Sequence, residues 1–139
     1  MTNLLIYISE VTIVKLDPTS TKPIYLQIAE WLENEILQGH FQEDDKVHSQ
    51  YTLAEMFQIN PATAAKGLTA LGEAGILYDR RGLGKFVQAG AREKLKEKRK
   101  KVVMETLIEQ LIKEANYLNI DKKEVLNMIE SIYRQEGEQ

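Results

Sequence analysis

Between Asn60 and Lys85 the sequence sets out a small group of polar and basic residues whose chemistry suits a polyanion. Asn60-Pro61 opens a helical stretch: the asparagine side chain accepts from first-turn amides, and proline gives up an amide that would be unpaired anyway. Ala62, Thr63 and Lys66, with Thr69 or Ala70, then fall on one face of that helix, with Ala65, Leu68 and Leu71 expected on the other. Thr63 offers a hydroxyl and a methyl, and Lys66 a charge that reaches a phosphate or a guanine edge. The orphan amides near Ala62 and Thr63 also favour a phosphate. Further on, Arg80, Arg81 and Lys85 surround Gly82 and Gly84, placing cations on a turn whose glycines permit close approach of a ligand.

Competing chemistries have less to stand on. There is no Gly-rich phosphate loop, no nucleophile elbow and no metal-binding histidine pair, so no enzyme is expected. A metal site would have to join His40 or His48 to Glu43, Asp44 or Asp45, and solvation of a polar loop is the simpler account of those residues; neither metal nor cofactor is expected. The same cations could also be ordinary solvated charges on a winged helix that binds protein rather than DNA. That module without duplex affinity stays open as the alternative.

The elements that must hold these residues can be read from spacing. Pro23 precedes Ile24, Leu26, Ile28, Trp31, Leu32, Ile36 and Leu37, an amphipathic helix stopped at Gly39. Phe41 to Gln50 reads as a polar loop, with Ser49 able to cap the short helix after it. Leu53, Ala54 and Phe57 make about two helical turns, Gln58-Ile59-Asn60 interrupts, and the second helix runs to Gly75. Two short helices around a tight turn are a helix-turn-helix. Ile76-Leu77-Tyr78 and Lys85-Phe86-Val87 flank the basic, glycine-bearing turn as a hairpin. The helix-turn-helix with its wing spans about Pro23 to Gln88.

Val103, Leu107 and Leu111, alternating with Ile108, Ile112 and Ala115, give the C-terminal part a strong apolar stripe. Asn119-Ile120-Asp121 breaks it, and Val125, Leu126, Met128, Ile129, Ile132 and Tyr133 line a last helix. Two helices with wide apolar stripes cannot bury both faces on themselves, so a second subunit is expected. The expected dimerisation residues are Val103, Leu107, Ile108, Leu111, Ile112, Leu126, Ile129, Ile132 and Tyr133. Tyr117 and Trp31 are read as packing residues rather than ligand-stacking groups.

The 139 residues carry a formal charge of −3, which looks wrong for a DNA binder. The balance is uneven: −4 over residues 1–89, +5 over 90–101 and −4 over 102–139. Affinity for phosphate needs a local patch rather than a basic total. The run Arg92 to Lys101 is itself read as a solvated helix face or linker. With 43% hydrophobic and 28% charged residues and a mean hydropathy of −0.35, the composition is that of a soluble globular protein. No cysteine is present and no segment could span a bilayer, so a cytoplasmic location away from the membrane is expected. Met1 to Val14 lacks the basic start and small-residue cleavage site of a signal peptide. Its alternating Leu5, Tyr7, Ser9, Val11 and Ile13 reads as a strand, or as an extension from an early start codon.

The runs Pro23-Ile24-Tyr25-Leu26-Gln27-Ile28, Leu53-Ala54, Asn60-Pro61-Ala62-Thr63-Ala64-Ala65-Lys66, Leu71-Gly72-Glu73-Ala74-Gly75-Ile76-Leu77 and Arg81-Gly82-Leu83-Gly84-Lys85-Phe86-Val87 resemble the GntR family of bacterial regulators, and the short C-terminal part is most similar to the YtrA subfamily. At motif level the resemblance covers roughly residues 16–88. It implies a winged helix-turn-helix, a homodimer, a double-stranded DNA operator and repression of nearby genes. Where the family has Leu-Pro-Ser-x-Arg, this chain has Val47-His48-Ser49-Gln50-Tyr51, so Tyr51 stands where the family places a DNA-contacting arginine. A tyrosine hydroxyl can bond one phosphate but brings neither charge nor a bidentate fork.

The expected fold is therefore mainly α with a small β-hairpin wing: a winged helix-turn-helix plus a C-terminal two-helix dimerisation segment. An N-terminal extension is expected over 1–15, the DNA-binding domain over 16–89 and the helical dimerisation region over 90–139. The expected DNA-binding set is Ser49, Tyr51, Asn60, Ala62, Thr63, Lys66, Arg80, Arg81, Gly82, Gly84 and Lys85. A small-molecule effector acting through the C-terminal helices is a further possible partner.

Overall fold

Pro23, with extended backbone at φ −55° and ψ 149°, hands the chain into helix α1 (Ile24–Leu37). The computed structural model describes residues 16–137; the strand expected across Leu5 to Ile13 lies outside them. Helix α1 turns Ile28, Leu32 and Ile36 inward and ends before Gly39, whose φ of +84° suits a residue without Cβ. A loop leads to α2 (Gln50–Phe57), where Ser49 caps as expected, its side chain accepting from the Thr52 amide at 3.2 Å. Helix α2 closes on Gln58 in the left-handed region (φ +56°), and α3 (Pro61–Glu73) begins three residues later with the Asn60 side chain accepting from the Ala62 amide at 2.8 Å. Strands β1 (Leu77–Arg80) and β2 (Gly84–Val87) pair antiparallel from Leu77 opposite Val87 to Arg80 opposite Gly84.

The inward face of α3 departs from the expected Ala65, Leu68 and Leu71. Ala64, at 0% exposure, takes the inner position with Leu68 and Leu71, and Ala65 is half-buried. The reason is Gly67, buried on the same face: a Cβ there would lie 2.9 Å from the Tyr25 carbonyl oxygen. Without that atom α1 crosses α3 closely at Gly67, against Tyr25 and Ile28, with Ala64 and Leu68 also buried on α3.

The chain divides into two compact units, one ending at Lys96 and the other starting at Glu97. In the first, α1, α2 and α3 and the base of the hairpin share one core, joined by Ala91 and Leu95 from the start of α4 (Ala91–Arg99). Trp31 sits half-buried against it, edge-on to Phe57 at 5.4 Å between ring centres. Ile28, Leu32, Ile36, Leu53, Leu71, Val87 and Leu95 are each under 2% exposed. Burial of such side chains contributes about 1.5–3 kcal/mol apiece, against about 0–1 kcal/mol for an exposed ion pair, so apolar packing carries this unit.

The second unit contains the end of α4, a π-helical turn (Lys100–Met104), α5 (Glu105–Tyr117) and α6 (Lys122–Gly137). The break between α5 and α6 is built as expected: Asn119 is left-handed at φ +56°, and the Asp121 side chain accepts from the Glu124 amide at 2.9 Å. Ala115 is the one buried residue among the described residues of this unit. No described helix is long and apolar enough to cross a membrane.

Candidate nucleic-acid interface

The hairpin tip is set by a turn in which the Leu83 amide donates to the Arg80 carbonyl at 2.9 Å. Gly82 occupies the left-handed position of that turn at φ +76°, and Gly84 follows at φ +114°. Arg81, Gly82 and Leu83 are consequently carried outward, and all three are exposed. The hairpin is not alone: Lys46 bridges Phe86 on the outer side of β2, the Val47 amide donates to the Lys85 carbonyl, and the Val87 amide donates to the Asp45 carbonyl. What the sequence presents as a polar loop is thus partly a short third edge of the wing.

Between that edge, the start of α2 and the wing tip lies an open groove of about 440 Å³. Lys46, Ser49, Tyr51 and Leu68 line it together with Arg80, Arg81, Gly82, Gly84 and Lys85. Of the residues expected to bind DNA, it gathers Ser49, Tyr51 and the five wing residues; Asn60, Ala62, Thr63 and Lys66 belong to the first half of α3 and do not line it. Ala62 and Lys66 are exposed there and Thr63 is half-buried. Sequence reading missed Lys46 and the exposed Leu83. The available signal for Lys46 was Val47, an apolar residue isolated in a polar stretch and 3% exposed in the fold.

The cations differ in how committed they already are. Arg80 donates to the Tyr78 hydroxyl at 2.8 Å, lies 3.8 Å from the Asp44 carboxylate and stacks 4.3 Å from the Phe86 ring centre. Tyr78 in turn donates to Asp44, and this bond to a carboxylate, with burial, raises the phenol's pKa while Arg80 works against the shift. Lys85 pairs with Asp79 at 2.7 Å. The Lys66 ammonium rests 4.3 Å from the centre of the Tyr25 ring. Arg81 and Lys46 have no ion pair among the described residues.

His48 also lines the groove, half-buried with Trp31 at 5.9 Å and Phe41 at 5.4 Å between ring centres. Its Nδ1 is buried without a hydrogen-bond partner among the described residues. Burial lowers its pKa, with Glu35 acting in the opposite direction.

In the second unit, Val103, Leu107, Ile108, Leu111, Ile112, Leu126, Ile132 and Tyr133 are all 40% exposed or more, and Ile129 is half-buried. Ile108, Leu111, Ile112, Ala115, Leu126 and Ile129 line an apolar groove of about 500 Å³ between α5 and α6.

No family model matches the chain. It is 31% identical over 119 residues to the HTH-type transcriptional repressor YtrA of Bacillus subtilis (strain 168), covering 86% of this chain and 91% of that protein. A solved GntR family transcriptional regulator from Listeria monocytogenes superposes with a TM-score of 0.68 at 30% identity, over 84% of this chain and 98% of that one. The DNA-binding domain of AraR, solved in complex with operator ORX1, matches with a TM-score of 0.50 at 30% identity, over 54% of this chain and 95% of that one.

Proposed function

The chain belongs to the GntR family of transcription regulators as a YtrA-like member, and from that premise we propose that it represses transcription as a cytoplasmic homodimer bound to a double-stranded DNA operator. The observation that carries this reading is the outward face of the first half of α3, with Ala62 and Lys66 exposed, in the same unit as a wing whose cations line one groove. A helix fits the major groove and presents its N-terminal side chains to base edges. In this reading Asn60, Ala62, Thr63 and Lys66 meet the major groove, while Arg80, Arg81, Gly82, Gly84 and Lys85 approach the sugar–phosphate backbone and minor groove. Ser49 and Tyr51 contact phosphate at the start of α2. The operator-bound AraR domain, alike in fold over about half of this chain, supports binding to an operator duplex.

Dimerisation through α5 and α6 gives the exposed apolar residues of the second unit a partner. It also doubles the contacts: two recognition helices on a two-fold axis read half-sites about one helical turn apart. Doubling matters because residues 1–89 carry a net charge of −4.

The test is a gel shift with duplex from the chain's own upstream region at two salt concentrations. Retention at low salt that weakens steeply at the higher one is expected, because neutralised phosphates release counterions. Absence of any retained duplex at low salt would overturn the reading.

A further inference from the structure

We propose that Lys46 and Tyr51 together hold one backbone phosphate of the bound duplex in the groove beside the wing, Lys46 supplying the charge and Tyr51 a neutral hydroxyl donor. This rests on the DNA-binding reading above and deepens it. The backbone of Lys46 is tied to the wing by its bridge to Phe86 and by the flanking Val47 and Val87 amides, which donate at 3.0 and 2.9 Å. Successive side chains on an extended edge point to opposite faces. With Val47 in the core, Lys46 is directed outward into the groove it lines. Gly84 makes room for it: a Cβ there would lie 3.1 Å from Lys46 Cε, so the lysine stem passes over a position with no side chain.

Charge then selects Lys46 from its neighbours. Arg80 and Lys85 already face Asp44 and Asp79, so an incoming phosphate must compete with a carboxylate for each of them. Lys46 meets no such competition among the described residues, and Arg81 is carried out on the wing tip. Tyr51 lines the same groove at 69% exposure. A phenol alone brings no charge to a phosphate, but a phenol and an ammonium lining one groove can offer a charged and a neutral donor to one anion, as an arginine fork does with two.

The experiment is fluorescence anisotropy with the upstream duplex and with a random-sequence duplex of equal length, across a salt series, on full-length protein. Lys46→Ala is expected to weaken binding about tenfold, in the range of one charge-assisted hydrogen bond. It should also flatten the slope of log affinity against log salt by about 0.9, one phosphate's worth, on both duplexes. Lys46→Arg keeps the slope. Tyr51→Phe loses a few-fold in affinity with the slope unchanged, and the double variant loses less than the product of the single losses, since both side chains serve one anion. Lys46→Ala that melts like wild type and binds with the wild-type slope would overturn the proposal while leaving the repressor reading standing. A wild-type protein that binds neither duplex at low salt overturns both.

Discussion

Arg81 and Lys66 present their charges differently, and their removal should not cost the same. Arg81 is exposed with no ion pair among the described residues, whereas Lys66 rests on the face of Tyr25 and would have to leave it to reach a duplex. Both Arg81→Ala and Lys66→Ala are expected to weaken operator binding by roughly tenfold or more at unchanged melting temperature, with Arg81→Ala the larger loss. Titration of the duplex with the purified variants checks this, and two variants binding like wild type would remove these residues from the interface. A second residue effect is on stability. Because burial holds the His48 imidazole below its ordinary pKa of about 6.5, the unfolded chain takes up a proton before the folded one as pH falls. Stability therefore falls as pH falls through that range, and the loss is complete once the folded pKa is passed. His48→Leu, which suits the Trp31 and Phe41 rings, should melt with a smaller drop between pH 7.5 and 5.5 than wild type; an equal drop would show that another group is responsible. Tyr51 and the wing cations were legible as residue types in the sequence. Their prior commitments were not, because Asp44 reaches Arg80 only through the fold.

The helices and hairpin were legible because each carries its own punctuation: Pro23 and Gly39 around α1, the Ser49 and Asn60 caps, and glycines at the wing turn. The register of α3 was not. A run of alanines and glycine carries too little apolar contrast to say which turn faces inward, and only the approach of Tyr25 to Gly67 decides it. That contact gives the prediction proper to this scale. Gly67→Ala puts a methyl 2.9 Å from a backbone oxygen, which cannot swing aside as a side chain could. The crossing of α1 and α3 must open, at a cost of about 1–3 kcal/mol. Denaturant unfolding measures it, and a variant as stable as wild type would mean that the two helices separate without cost. The third edge of the wing was hidden for a related reason: its strand character comes from pairing with β2, while its own residues, Glu43 to Lys46, are charged.

At the scale of the whole molecule, the apolar stripes of α5 and α6 were plain from their spacing, and the fold leaves most of their residues exposed. Sedimentation at micromolar concentration is expected to give a dimer, with Leu107→Glu or Ile132→Glu shifting it toward monomer and weakening operator binding while random-duplex binding changes less. A wild-type monomer would remove the dimer from the proposed function. The sequence could suggest such a face but not how the two units are arranged on DNA, because that depends on a second copy and on the spacing of the half-sites.

The ion pairs of the wing bear on how such a protein searches a genome. If Lys85 and Arg80 meet DNA as proposed, Asp79 would have to release the one and Asp44 the other before either cation could grip a passing duplex. Encounters with wrong sequences would thereby be shortened, and dwell would lengthen only where base contacts from α3 added to the hold. Asp79→Asn should accordingly prolong residence on random DNA more than on the operator. Dissociation rates from the two duplexes measure that difference, and equal prolongation on both would leave the pairing without a part in discrimination.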